Sequence, residues 1–204
     1  MAIQNTIWIR TAKTAGTSVE NALLDELVHC GDIPHFELCP PGGFVFPPNK
    51  IICLACDDPA EIAKFSRVHA EIWEQSYKFG IVRNPYDRFI SGWKYLHATK
   101  YRQLIEVLLN LPASGAEYVH LTLRQADFLT MDGNLLNIHL LRFEQLQSDF
   151  DNLCNKLGLS TRELKVLNKT TQKDECYFNY YTDETKRLVA EIYKADFDLF
   201  GYEI

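Results

Sequence analysis

Two short stretches carry residues suited to gripping anionic groups. The first, Ala12-Lys13-Thr14-Ala15-Gly16-Thr17-Ser18, follows the β-prone run Thr6–Arg10 and precedes a helical pattern. A loop leading from a strand into a helix turns free backbone N–H groups toward a ligand, at the positive end of the helix dipole. Gly16 permits close backbone approach, Lys13 adds a cation, and Thr14, Thr17 and Ser18 add hydroxyls. The nucleotide-binding GxxxxGK[ST] loop places lysine after glycine, whereas here Lys13 precedes Gly16 by three residues, so a magnesium–nucleotide arrangement is not specified. Taken alone, the loop also fits an ordinary capped strand–turn–helix junction.

The second stretch is Val82-Arg83-Asn84-Pro85-Tyr86-Asp87-Arg88-Phe89-Ile90-Ser91-Gly92-Trp93. Arg83 stands at the carboxyl end of the run Tyr77–Val82, where open α/β sheets bind their ligands. Asn84 is a natural N-cap, Pro85 a natural first helical residue, and Asp87 falls in the first turn. Arg88 and Ser91 share a helical face beside the apolar stripe of Phe89, Trp93 and Leu96. A guanidinium and a hydroxyl converging there suit a second phosphate. The competing reading pairs Arg83 or Arg88 with Asp87 or Glu20 at the surface.

The elements that must position these residues alternate in type. Strand signals lie at Thr6–Arg10, Lys50–Cys56, Tyr77–Val82 and Ile138–Phe143. Val19, Leu23 and Leu27, with Ala22 beside them, predict a helix after the first loop, and Val189, Tyr193, Phe197 and Phe200 predict a last helix ending at Gly201. Between Gly31 and Asn49 lie Pro34, Pro40, Pro41, Pro47 and Pro48 with Gly42-Gly43, which predicts a long loop of the functional kind. Strands alternating with helices imply one α/β domain over residues 1–204, with a mostly parallel sheet covered on both faces.

Composition narrows the function. With 27 acidic against 21 basic residues the net charge is −6, which argues against a broad nucleic-acid surface or a polybasic membrane patch. An anionic ligand must therefore be held by a few placed donors. No apolar run is long enough to span a bilayer, and Met1–Asn5 contains no basic segment before an apolar one, so a cytoplasmic location is expected. The six cysteines read as reduced thiols. Cys53 and Cys56 form a CxxC inside an apolar strand-like run with no second ligand pair, so no metal is expected.

Together the two stretches resemble the sulfotransferases that use 3′-phosphoadenylyl sulfate (PAPS), most of all the carbohydrate-type members and their bacterial relatives. That family has a Lys-Thr-x-Gly-Thr-Ser loop after its first strand, matched by Lys13 to Ser18, and an Arg-Asn-Pro-Tyr-x-Arg-x-x-Ser segment, matched from Arg83 to Ser91. Leu141-Arg142-Phe143-Glu144-Gln145-Leu146 looks like its Arg-Phe-Glu-x-Leu segment, and the tail from Asn168 to Tyr202 is similar to its bacterial members. Ala12 stands where the family often has proline before the lysine, which removes no donor.

The resemblance implies a P-loop-NTPase-like three-layer domain and an in-line transfer of the sulfuryl group to an acceptor hydroxyl, with a carbohydrate as acceptor. It implies that Lys13, Thr14, Ala15, Gly16, Thr17 and Ser18 hold the phosphosulfate, that Arg83 and Ser91 hold the 3′-phosphate, and that Lys13 stabilises charge on the group being transferred. It also implies that Lys169 and Thr170 close over the phosphates and that Arg124 and Gln125 line the acceptor cleft. No metal is required, and the product is adenosine 3′,5′-bisphosphate. The acceptor needs a general base, for which histidine is suited. Among His29, His35, His69, His97, His120 and His139, the choice falls on His69, which sits where bacterial relatives carry such a histidine; His35 is second. His29 is read as meeting the dipole at the end of the first helix, His139 as a strand residue, and Glu20 as able to orient acceptor or base. Two other readings remain open: a small phosphotransferase or kinase using the same loop, and a PAPS-binding protein without turnover.

Overall fold

A computed structural model describes residues 5–29, 46–47, 49–55, 57–97, 103–165 and 176–204. In chain order its first half comprises β1 (Thr6–Ile9), α1 (Gly16–Ala22), β2 (Leu27–His29), β3 (Ile51–Leu54), α2 (Pro59–Val68), α3 (Ala70–Gln75), β4 (Tyr77–Val82) and α4 (Pro85–His97). There follow α5 (Leu104–Leu109), α6 (Gly115–Glu117), a π-helical turn at Tyr118–Thr122, α7 (Gln125–Leu129), β5 (Thr130–Met131), β6 (Asn134–Leu135) and β7 (His139–Arg142). The chain closes with α8 (Leu146–Leu157), a 3₁₀ turn at Tyr177–Tyr180, α9 (Asp183–Ile192) and α10 (Lys194–Phe200).

Strand order in the main sheet is β2-β3-β1-β4-β7, with every pairing parallel. Alternate residues of the strands face opposite sides. Ile7 and Ile9 pack with Ile52, Leu54 and Val82 under α2, α3 and α7. Trp8 packs with Ile51, Cys53, Phe79, Ile81 and Leu141 under α1 and α8. A third cluster joins α4 through Tyr86, Phe89 and Ile90 to α5, α9 and α10. This is the parallel sheet covered on both faces that the alternating elements predict, and it has the three-layer, P-loop-like form that the resemblance implies.

From β1 the chain passes to one side, toward β2 and β3, and from β4 it passes to the other, toward β7. The strand order thus reverses between β1 and β4, and the carboxyl ends of strands at such a point are where open α/β sheets bind their ligands. The Lys13 loop and Arg83 emerge there.

The first helix is shorter than its apolar stripe predicts. It stops at Ala22, and Leu27 belongs to β2, an edge strand paired from Leu27↔Ile51 to His29↔Cys53. Sheet pairing outweighs helical periodicity over those residues, and His29 therefore lies on a strand rather than at a helix end. A small hairpin, β5–β6, turns through Asp132-Gly133, both with positive φ (51° and 79°), as a tight hairpin turn requires. Most of the proline-rich loop, with His35, lies outside the described residues, as do Cys56, Lys169 and Thr170.

Candidate active site

The first loop is folded by its own threonines. Thr11 donates from Oγ1 to the Ile81 carbonyl of β4 (2.8 Å), and Thr14 donates from Oγ1 back to the Thr11 carbonyl (3.0 Å). The Thr14 hydroxyl is thus buried within the loop instead of being offered to a ligand. Lys13 and Ala15 both adopt left-handed backbone (φ 65° and 66°), which costs side-chain-bearing residues energy and is a conformation from which anion-binding nests of N–H groups are built. Gly16 leaves room for its neighbour: a Cβ there would fall 2.4 Å from Arg10 Nε, and the Arg10 side chain would have to shift. Arg10 in turn pairs with Glu20 (2.9 Å), whose other oxygen meets His29 Nε2 (2.8 Å). Glu20 is occupied as an ion-pair hub, the alternative to its expected role toward the acceptor. Thr17 is half-buried and Ser18 is buried at the start of α1.

Arg83 joins the two stretches. Its Nη1 donates to the Lys13 carbonyl (3.0 Å), its Nε to Asp87 (2.8 Å), and its guanidinium lies 3.9 Å from the centroid of Phe143. The Asp87 pairing weighed from the sequence is therefore present, and it orients the guanidinium while Nη2 takes part in neither bond. The backbone of Arg83 is clamped by the Gln125 side chain, which donates to its carbonyl (3.0 Å) and accepts from its N–H (2.8 Å). Gln125 is wholly buried, so it braces Arg83 and does not line an acceptor cleft. Arg124 forms a forked pair with Asp127 (2.6 and 3.0 Å) at the start of α7.

Behind Gln125 stands Asp196, fully buried, accepting from the N–H groups of Gln125 (3.1 Å) and Ala126 (2.7 Å) and from the Gln125 amide (3.2 Å). Burial raises its pKa, against the lowering influence of Arg88 and these hydrogen bonds. Arg88 is also buried, donating to the Ala12 carbonyl (3.1 Å) and the Leu123 carbonyl (2.7 Å). It staples the first loop to α4 and is spent on backbone, while Ser91, buried one turn on, shares its helical face. Asn84 caps α4 by accepting from the Tyr86 N–H (2.9 Å), and Glu144 accepts from the Asn84 N–H (2.6 Å), which gives the Arg-Phe-Glu segment its structural purpose.

Lys13 Nζ lies 4.0 Å from the ring centroid of Tyr95, a residue of α4 that is 52% exposed. Burial and then the nearby Arg83 charge push the Lys13 pKa down to about 8. His120, on the π-helical turn, meets the same Tyr95 ring edge-to-face at 5.3 Å. Tyr95 and His120 join the site through tertiary contact alone, and no local motif marks either. His69 is buried at the α2–α3 junction with its ring 5.0 Å from that of Phe65.

A parallel sheet with a cation-bearing loop at its reversal point belongs to the α/β enzymes that handle phosphate-like groups. A sequence profile described as the sulfotransferase family matches residues 4–203, and the chain belongs to that family. No curated protein matches the chain closely enough to count as a relative. Among solved structures it is similar in fold to a sulfotransferase from Alicyclobacillus acidocaldarius, with a TM-score of 0.56 at 13% identity over 98% of this chain and 97% of that one. The protein is thus an enzyme of sulfuryl transfer, drawing on a sulfonate donor and a small-molecule acceptor. Among the described residues no helix is long and apolar enough to cross a membrane, and no group of three or more His, Cys, Asp or Glu could hold a metal ion.

Proposed function

We propose that the protein is a PAPS-dependent O-sulfotransferase acting on a carbohydrate hydroxyl. The observation that carries this is the junction of Lys13 and Arg83: two half-buried cationic residues from separate loops, tied by a 3.0 Å hydrogen bond from the Arg83 guanidinium to the Lys13 carbonyl at the reversal point of the sheet. Like charges placed together and desolvated disfavour ionisation, as the lowered pKa of Lys13 records, and an anion bound against both would relieve that cost. The residues present fit a donor with two separated phosphate centres. The Lys13–Ser18 nest would hold the phosphosulfate, and Arg83 with Ser91 would hold the 3′-phosphate, with Lys169 and Thr170 in the supporting role that the sequence resemblance implies. Bound donor supplies the activated sulfuryl group, and Lys13 would balance the charge gathering around it.

The half-exposed ring of Tyr95, next to Lys13, offers an aromatic surface against which the apolar face of a sugar can pack. A histidine takes the proton of the acceptor hydroxyl, and two are candidates: His69, packed on Phe65, and His120, beside Lys13 on the Tyr95 ring. Incubation with PAPS and a panel of mono- and oligosaccharides in chelator, followed by mass spectrometry, tests the reading. A sulfate ester formed together with adenosine 3′,5′-bisphosphate supports it. Transfer that occurs only from ATP with magnesium would instead make the protein a phosphotransferase.

A further inference from the structure

His120 is brought to the site by an unusual piece of backbone. It is the third residue of the π-helical turn Tyr118–Thr122, and π-turns are rare and frequently found at functional sites. The turn presses on α4 where that helix has Gly92: a Cβ there would lie 2.9 Å from the His120 carbonyl oxygen. The imidazole consequently stands against the ring of Tyr95 at 5.3 Å, while Lys13 Nζ lies 4.0 Å from the centroid of that same ring. Its Nδ1 is buried and has no hydrogen-bond partner among the described residues, which leaves Nε2 as the nitrogen able to meet a ligand.

We propose that His120 is the catalytic base of this site, its Nε2 receiving the proton of the acceptor hydroxyl beside Lys13. The inference rests on the sulfotransferase reading and assigns one step of it. The acceptor O–H bond breaks as its oxygen bonds to sulfur. The bond from sulfur to the bridging phosphate oxygen breaks, and its electron pair stays on the phosphate. The proton moves to Nε2 and from the imidazolium to water.

The groups facing His120 make this base responsive to the donor. Burial, then the charges of Lys13 on the first loop and Arg88 on α4, push its pKa down to about 4, opposed by Asp57 following β3, while the ring of Tyr95 packs against it. An anionic donor against Lys13 offsets the larger of these two charge effects, so His120 gains basicity when the donor is in place.

Imidazole C–H resonances of histidine-labelled protein, followed against pH with and without saturating adenosine 3′,5′-bisphosphate, test this, with His120→Asn used for assignment. The expected result is an upward movement of the His120 midpoint by about one pH unit or more on binding. His120→Asn should bind the bisphosphate within about threefold of wild type yet lose about a hundredfold in the slow transfer from PAPS to water. A bound bisphosphate that leaves the His120 midpoint in place, or moves that of His69 instead, overturns the proposal. So does a His120→Asn enzyme that retains wild-type turnover. If wild-type protein does not bind the bisphosphate at all, the sulfotransferase reading itself falls.

Discussion

At the scale of single residues, Lys13 is the group on which the proposed binding and transfer meet. Its pKa, pushed down to about 8 by burial and by Arg83, sets a pH dependence whose sign follows from linkage. Below about pH 8 the ammonium is present with or without ligand, so affinity for adenosine 3′,5′-bisphosphate should be level. Above it the free protein has lost a proton that binding must restore, and affinity should fall by up to about tenfold per pH unit. Calorimetry from pH 7 to 10 checks this, and Lys13→Met should give a flat profile with turnover lowered about a hundredfold or more. Thr14 teaches the opposite lesson. Its hydroxyl belongs to the fold of the loop, bonded to Thr11, so Thr14→Val should lower stability more than donor affinity, as urea unfolding beside calorimetry would reveal.

At the scale of elements, the site is held from behind by contacts between residues far apart in the chain. Gln125 and Asp196 are separated by 71 positions yet jointly fix the backbone of Arg83. Asp196→Ala would leave the buried N–H groups of Gln125 and Ala126 unpaired, and a loss of about 3 kcal/mol is expected by denaturant unfolding. Gly92→Ala should act differently, pushing on the His120 carbonyl from α4 and lowering turnover while bisphosphate affinity stays near wild type. These long-range braces mark the limit of what the sequence reveals. The strand–loop–helix form of both stretches was legible because each is local, and Asn84 caps α4 as its position and type predict. Gln125 looked like a cleft residue because nothing near it in sequence announces Asp196. The strand β2 was hidden because Leu27 continues the i, i+4 stripe of α1, and only pairing with β3 decides its state. His120 was one histidine among six in the sequence, and only the π-helical turn singles it out.

At the scale of the whole molecule, the reversal of strand order between β1 and β4 explains why two stretches 70 residues apart form one site, with Arg83 bonded to the Lys13 carbonyl. The same coupling ties donor binding to global stability. Lys13 ionises in the folded protein below its ordinary value of 10.5, so protonating it opposes folding below about pH 8, and that opposition fades as pH rises toward 10.5. A bound bisphosphate restores a partner to the ammonium. At a concentration near 100 times its dissociation constant it should add about 2.7 kcal/mol, raising the melting temperature by about 5–10 °C in a chain of this size. At the same ligand concentration the increment should be smaller at pH 9 than at pH 7. Scanning calorimetry at the two pH values measures it.

The most direct test of the central claim is calorimetric titration of wild-type protein and Arg83→Ala with adenosine 3′,5′-bisphosphate and with AMP, in chelator. Wild type should prefer the bisphosphate by about ten- to a hundredfold, the value of charge-assisted hydrogen bonds to the 3′-phosphate. Arg83→Ala should lose that preference while keeping its affinity for AMP. Equal binding of the two ligands by wild type, or tight binding only of ATP with magnesium, would contradict the account.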